Sequence, residues 1–128
     1  MWSSAEINTS VLAAILSLSG PELTDREKAL FRESNPLGFI LFARNCANPD
    51  QLRKLTDDLK DALGRDCSVL IDQEGGRVQR LKPPHWSAYP PMRDFADQLY
   101  EALESVIRAQ AGELTDAGIN VNCAPVLD

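Results

Sequence analysis

Short runs of consecutive apolar residues alternate along this chain with longer segments whose apolar residues recur at helical spacing. The short runs have the length of buried strands, and they cover residues 13–18, 39–42, 68–71 and 119–127. The helical segments cover residues 24–34, 48–64 and 98–117. A proline-rich stretch, residues 81–91, is predicted to be a loop. The predicted order is strand, helix, strand, helix, strand, loop, helix, strand.

Local signals mark where the first two helices begin and end. Thr24 and Glu27 have the spacing of a capping box, in which the hydroxyl and the carboxylate bind each other's backbone N–H groups. Asn48 is a second cap, followed by a proline in the first helical position. Gly64 is typical of the residue that follows a helix. These signals support the predicted helical segments.

Continuous apolar strands separated by amphipathic helices predict a parallel sheet with right-handed crossovers. Two α/β architectures fit this pattern, a small doubly wound sheet and a (β/α)₈ barrel. Polar residues follow the last three strands, and these are Arg44, Asn45, Asp72 and Asp128. Both architectures place ligands at the carboxyl ends of their strands, so the pattern alone leaves the choice open.

The chemistry is concentrated in residues 72–80, which read Asp-Gln-Glu-Gly-Gly-Arg-Val-Gln-Arg and follow the third strand. Gly75 and Gly76 permit backbone conformations that other residues adopt at a cost, or a close approach of a ligand. Carboxylates accept hydrogen bonds from hydroxyl groups, and guanidinium groups donate to them. The segment is therefore suited to binding a neutral polyol. For each residue alone, a cap or a solvated surface charge is the simpler interpretation.

Composition and charge exclude several classes of function. The 128 residues are enough for one domain, and their net charge of −6 argues against a nucleic-acid partner. Three widely spaced cysteines, Cys46, Cys67 and Cys123, and a single histidine make a metal site improbable, and free thiols suit the cytoplasm. The apolar run 11–18 is too short to span a membrane, and no basic residue precedes it as in a signal peptide.

The run from Asp72 to Arg80 resembles the signature of the family 3 glycoside hydrolases, in particular their bacterial β-N-acetylhexosaminidase branch. Residues 38–45 and 118–128 are similar to the segments around this family's second strand and a later strand-end aspartate. The resemblance implies the N-terminal half, about four β/α units, of a (β/α)₈ barrel. A whole barrel needs about 250 residues. We therefore expect residues 1–128 to be part of the barrel domain, with residues 1–10 as a loose arm and the barrel continuing beyond residue 128.

The resemblance also implies a function and assigns roles to residues. The function is retaining hydrolysis of terminal β-linked N-acetylglucosamine from peptidoglycan fragments, without a cofactor. In the family, the matching residues place Asp72, Arg80 and Asp128 against the sugar. Four neighbours are expected to support the turn, with Glu74 pairing with Arg77: Glu74, Gly75, Gly76 and Arg77. Arg44 and Asn45 are candidates for the rim of the site.

No catalytic residue is expected within this chain. The family takes its nucleophile from an aspartate on a late strand, and this branch takes its acid/base from a histidine in a Lys-His-Phe-Pro-Gly-His-Gly type of loop. Neither motif occurs here, and His85 stands in a different context. We therefore expect the isolated chain to be inactive and to self-associate through unpaired strands. The alternatives are a β-glucosidase of the same family, a non-catalytic sugar-binding half-barrel, and a doubly wound nucleotide-binding domain, which the absence of a glycine-rich phosphate motif disfavours.

Overall fold

The computed structural model describes residues 10–127. Its strands are β1 (Leu12–Ser17), β2 (Pro36–Leu41), β3 (Ser68–Ile71), β4 (Gln73–Gly75), β5 (Val78–Gln79) and β6 (Val121–Asn122). Its α-helices are α1 (Asp25–Ser34), α2 (Pro49–Leu63) and α3 (Tyr100–Asp116). Short 3₁₀ turns cover Ala43–Asn45 and Met92–Phe95. Residues 1–9 of the predicted arm, which covers residues 1–10, and Asp128 lie outside the described residues.

Four strands form one parallel sheet in the order β1-β2-β3-β6. Strands β2 and β3 pair without a break in register, as Leu41 does with Ile71, whereas the register of β1 on β2 shifts between Leu12 and Ile15. Because the strands are parallel and joined by helices, their carboxyl ends meet at one edge, which we call the carboxyl edge of the sheet. The α/β fold class predicted from the sequence, consecutive β/α units with parallel strands, is confirmed.

The helix caps form as the sequence predicts. The Thr24 hydroxyl accepts from the N–H of Glu27 at 3.1 Å, and the Glu27 carboxylate accepts from the N–H groups of Thr24 and Ser19 at 3.0 and 2.9 Å. Asn48 caps α2, and Gly64 ends it with a φ of 68°. These caps fix the start of each crossover relative to the strand before it.

The core lies between the sheet and the helices that cover it. Strand residues Phe39 and Val69 and helix residues Leu52 and Leu59 are all fully buried. The Phe31 ring of α1 packs 4.8 Å from the Phe39 ring, centroid to centroid. This core holds β2 and β3, the two central strands, in fixed positions, so the side chains that follow them are positioned by a rigid support.

The last predicted strand is much shorter in the structure than residues 119–127. Only Val121 and Asn122 belong to β6. Cys123 still donates its N–H to Ile71 at 2.9 Å, but Pro125 has no N–H to donate and the ladder stops. A second departure is the antiparallel hairpin β4–β5, which the sequence analysis did not predict.

Helix α3 is confirmed, but it packs on fewer residues than its pattern predicts. It begins at Tyr100 rather than at residue 98, and only Gln110 and Leu114 are buried in it. Leu99, which lies within the predicted helical segment 98–117, is 79% exposed just before the helix. Within residues 10–127, no helix is long and apolar enough to cross a membrane.

Candidate functional site

Asp72 and Arg80 form an ion pair at the carboxyl edge of the sheet. Asp72 directly follows β3, and its Oδ2 accepts from Arg80 Nη2 at 3.0 Å. The two side chains are partly accessible, with 25% of the Asp72 side chain and 30% of the Arg80 side chain exposed. The pair is therefore mostly covered by the protein and partly exposed to solvent.

The hairpin β4–β5 returns the chain so that Arg80 meets Asp72. Its turn contains Gly75 and Gly76, with φ values of 97° and 64°. A Cβ on Gly75 would collide with the backbone carbonyl of Pro90, and Gly76 donates its N–H to the Tyr89 carbonyl at 2.7 Å. The two glycines thus have a conformational role and a packing role, which explains why a side chain is unfavourable at both positions.

The Phe42 ring at the end of β2 lies beside two guanidinium groups. Arg44 Cζ is 4.8 Å from the ring centroid and Arg80 Cζ is 5.7 Å from it. Cation–π attraction of this kind favours a fixed orientation of the guanidinium plane. Phe42 therefore contributes to the placement of Arg80, a role that the sequence analysis missed because Phe42 was assigned to the strand itself.

Asn45 is a structural residue and not part of the rim, which corrects the expectation from the sequence. It is fully buried. Its amide nitrogen donates to the Gly20 carbonyl at 2.8 Å, and its oxygen accepts from the N–H of Phe42 at 2.9 Å. Asn45 therefore joins the ends of β1 and β2, while the exposed Arg44 donates from Nε to the Leu18 carbonyl at 2.8 Å.

Cys123, which follows β6, is a neighbour of Asp72 at the same edge. Burial raises the pKa of the Cys123 thiol, and the negative charge of Asp72 raises that pKa further. The ends of β3 and β6 therefore bring a carboxylate and a protonated thiol together. The sequence analysis treated this cysteine only as a free thiol, because the predicted strand 119–127 placed Cys123 inside the strand and not at its end.

The expected ion pair between Glu74 and Arg77 is not among the ion pairs of residues 10–127. The chain reverses at Gly75 and Gly76. Glu74 and Arg77 line an open cleft of about 890 Å³ together with Arg93. The support of the turn comes instead from the two glycines. Asp128, the third predicted sugar-binding residue, lies outside the described residues.

His85 lies away from the Asp72–Arg80 pair, in the surface loop after the hairpin. Its ring packs edge-on against Trp86, 5.9 Å between centroids. Both line a cavity of about 190 Å³ together with Glu113 and Asp116 of α3. Among the described residues, no cluster of three His, Cys, Asp or Glu side chains could hold a metal ion.

Comparison with known proteins shows which family this sequence matches. Residues 10–128 match the sequence profile described as "Glycosyl hydrolase family 3 N terminal domain". The chain belongs to this family. The segment that carries the resemblance, residues 72–80, is the one that holds the ion pair of Asp72 and Arg80.

Curated relatives of this glycosyl hydrolase family chain include bacterial proteins named beta-hexosaminidase. One from Bordetella avium is 36% identical over 124 residues, which covers 89% of this chain and 35% of the relative. Another, from Idiomarina loihiensis, is 34% identical over 119 residues, covering 89% of this chain and 36% of the relative. The chain therefore spans about a third of the length of the curated relatives it matches.

Solved structures of the family have the same fold as this chain. Native NagZ from Neisseria gonorrhoeae matches with a TM-score of 0.78 and 31% identity, over 91% of this chain and 36% of that one. A family 3 β-N-acetylglucosaminidase from Paenibacillus sp. str. FPU-7 matches with a TM-score of 0.79 and 32% identity, over 90% of this chain and 22% of that one. The parallel strands of the family 3 domain described above are therefore shared with these enzymes.

Proposed function

We propose that the protein containing this chain hydrolyses terminal β-linked N-acetylglucosamine residues. Support comes from the family and from relatives that are named beta-hexosaminidase. A similar solved structure is that of a β-N-acetylglucosaminidase. The chain supplies the part of the enzyme that holds the sugar. The reaction is hydrolysis with retention of configuration and needs no cofactor.

The observation that carries this proposal is the Asp72–Arg80 ion pair at the carboxyl edge of the sheet. A carboxylate has about four acceptor sites, so Asp72 can accept from sugar hydroxyl groups while it binds Arg80. Hydrogen bonds to a charged group are stronger than those between neutral groups. A guanidinium group has five N–H donors, so Arg80 can donate to hydroxyl oxygens while one Nη2 donor binds Asp72. The pair therefore places a hydrogen-bond acceptor and a hydrogen-bond donor for sugar hydroxyl groups next to each other.

The groups that break the glycosidic bond are proposed to come from elsewhere in the protein. Retaining hydrolysis needs a nucleophile on one face of the sugar and an acid/base toward the leaving oxygen. His85, the one histidine of the sequence, packs on Trp86 in a separate cavity. The sugar-binding role is therefore assigned to this chain, and the bond-breaking role to residues outside it.

The source of the substrate is proposed to be peptidoglycan, whose fragments end in β-linked N-acetylglucosamine, and the compartment is proposed to be the cytoplasm. Cys46, Cys67 and Cys123 are all free thiols. Burial raises the pKa of the Cys46 thiol to about 12, which keeps it protonated and unreactive. Thiols persist in a reducing compartment, which agrees with a cytoplasmic enzyme.

Turnover of two chromogenic substrates by the full gene product tests this function. We expect release of 4-nitrophenol from the β-N-acetylglucosaminide with a kcat/KM at least about a hundredfold above that for the β-glucoside, and β-configured sugar as the first product by NMR. A preference for the glucoside would place the protein in the β-glucosidase branch. An α-configured first product would contradict retention, and failure to hydrolyse either substrate would contradict the enzymatic proposal.

A further inference from the structure

The side chain of Gln73 holds the backbone on which Arg80 stands. Gln73 Oε1 accepts from the N–H of Arg80 at 2.8 Å and from the N–H of Leu81 at 3.0 Å. Its Nε2 donates to the Leu81 carbonyl at 3.0 Å. Gln73 is only 1% exposed. One buried amide thus binds three backbone groups in the two residues at which the hairpin ends.

The backbone of Gln73 is itself anchored to two other elements. Its N–H donates to the side-chain oxygen of Asn122 at 3.0 Å, and its carbonyl accepts from the amide of Asn122 at 3.0 Å and that of Gln110 at 2.6 Å. Asn122 belongs to β6 and Gln110 to α3. Because residue 73 also follows Asp72 directly, its anchored backbone limits the positions that Asp72 can take.

We propose that Gln73 is the positioning residue of the sugar-binding pair, setting Arg80 against Asp72 without touching the sugar. The expected effect of Gln73 on activity rests on the proposed function, since the ion pair matters to activity only if it binds substrate. The claim that Gln73 positions Arg80 does not depend on that function. Asp72 is fixed through the backbone of residue 73, and Arg80 is fixed through the side chain of the same residue.

Only an amide satisfies all three partners at this position. The two N–H groups need an acceptor and the Leu81 carbonyl needs a donor, and a neutral amide supplies both. A hydrophobic side chain of similar length, such as methionine, would leave the buried N–H groups of Arg80 and Leu81 without their acceptor, while the Leu81 carbonyl would keep its bond from Gln79 Nε2. A carboxylate would keep the acceptor, lose the donor and bury a charge. Buried polar networks of this kind specify one conformation when every member is satisfied.

Gln79 provides a matched control in the same hairpin. It is 4% exposed and also binds backbone groups, donating to the Leu81 carbonyl at 2.7 Å and accepting from the N–H of Tyr89 at 3.1 Å. Its amide makes no hydrogen bond to the backbone of Arg80. Removing it should destabilise the loop that follows the hairpin while leaving the bond between Gln73 and Arg80 in place.

Amide hydrogen exchange in the full gene product tests the geometric part, whether or not the protein turns over a sugar. In Gln73→Met, exchange at the amides of Arg80 and Leu81 should be at least about tenfold faster, with the Tyr89 amide still protected. In Gln79→Met, the Tyr89 amide should exchange faster and the Arg80 amide should stay protected. An Arg80 amide that remains protected in Gln73→Met would overturn the proposal.

A double-mutant cycle on kcat/KM for the 4-nitrophenyl β-N-acetylglucosaminide tests the functional part. Gln73→Met alone should lower kcat/KM about tenfold or more, and Gln79→Met less than about threefold. In an Arg80→Ala background, Gln73→Met should lower it by less than about twofold, because the residue through which it acts is gone. The same factor in both backgrounds would overturn the proposal, since a general structural defect acts independently of Arg80.

If Gln73→Met does not fold, Gln73→Glu is measured instead, because its carboxylate still accepts from both N–H groups. The Arg80 amide should then stay protected and kcat/KM should fall less than about tenfold, and an Arg80 amide that exchanges at least about tenfold faster than in the wild type would overturn the proposal. Wild-type protein without turnover would reject the proposed function, while the exchange pattern would still decide whether Gln73 positions Arg80.

Discussion

Asp72 and Arg80 are eight positions apart in the chain, yet Asp72 Oδ2 and Arg80 Nη2 are 3.0 Å apart. The strand β3 delivers the carboxylate to the carboxyl edge of the sheet, and the hairpin β4–β5 brings the guanidinium back to it. Neither side chain is a free surface charge. Each keeps hydrogen-bonding capacity beyond the bond to its partner.

Arg80→Lys is expected to lower kcat/KM for an N-acetylglucosaminide by about tenfold or more in the full protein. The guanidinium binds Asp72 through one nitrogen while its plane lies near the Phe42 ring. An ammonium group is a point charge that cannot donate in two fixed directions. Steady-state kinetics of the purified variant measures the loss.

Arg77→Lys is the comparison for that experiment. Arg77 is exposed, lines the open cleft beside the hairpin, and has no ion pair among the described residues. Its substitution should change kcat/KM by less than about twofold. If Arg80→Lys and Arg77→Lys lower kcat/KM equally, the assignment of Arg80 to sugar binding and of Arg77 to the turn is contradicted.

Asp72→Asn is expected to speed alkylation of Cys123. The negative charge of Asp72 adds to burial in raising the pKa of this thiol, so removing the charge should lower the pKa and increase the thiolate fraction at mildly alkaline pH. Mass spectrometry of iodoacetamide adducts over time gives the rate at each cysteine. Cys67 is the internal control, and its alkylation rate should not change. Burial raises the pKa of its thiol, and the positive charges of Arg65 and Lys60 lower that pKa in part. An unchanged rate at Cys123 would contradict the proximity of the two groups.

Glu27 makes stability depend on pH in the acid range. Burial alone would raise the pKa of the Glu27 carboxyl, but N–H donors from Thr24 and Ser19 outweigh it and hold the pKa below its ordinary value of 4.5. The carboxylate therefore stabilises the fold above that value, and the contribution is lost as the pH falls through the lowered pKa. Glu27→Gln should cost about 0.3–1 kcal/mol near neutral pH, the scale of a partly exposed charge at a helix start.

Thermal melts at neutral and acidic pH measure the Glu27 contribution. The difference in Tm between wild type and Glu27→Gln should shrink as the pH falls below the lowered pKa, because protonated glutamic acid no longer differs in charge from glutamine. A difference that stays constant with pH would mean that the capping carboxylate is not the group that titrates.

The 128-residue chain, expressed alone, is expected to self-associate and to lack hydrolase activity. Within the described residues, β1 and β6 each pair on one side only. They carry exposed apolar residues, with Leu12 47% and Val121 38% exposed. Unpaired strand edges with apolar side chains template further pairing. Sedimentation should show species larger than a monomer, and Val121→Lys should reduce them. A monodisperse monomer that hydrolyses the sugar would contradict both expectations.

Strands and caps were predictable because they depend on local sequence. The apolar run 68–71 and the capping pair of Thr24 and Glu27 appear in the structure at the predicted positions. The position of Asp72 at the carboxyl edge was also predictable, because the end of a buried strand fixes where the next side chain lies. The family resemblance added the choice of a barrel, which the hydrophobic pattern had left open.

The rest of the site depends on contacts between residues that are distant in sequence. Gln73 and Gln79 look like ordinary polar residues in the sequence, and their burial follows only once the hairpin packs against the loop after it. Asn45 was assigned to the rim because polarity predicts exposure, whereas its amide is satisfied by the end of β1 and is fully buried. Burial of satisfied amides is a tertiary property, and a periodicity argument cannot detect it.

The effect of Asp72→Ala on turnover by the full protein tests the central claim most directly. If Asp72 binds sugar hydroxyl groups, its loss should cost about 1.5–3 kcal/mol, or roughly 10- to 100-fold in kcat/KM for a chromogenic β-N-acetylglucosaminide. The Tm should fall only slightly, because the ion pair with Arg80 is partly exposed. A variant that is folded and retains the wild-type kcat/KM would contradict the account and remove Asp72 from the sugar-binding site.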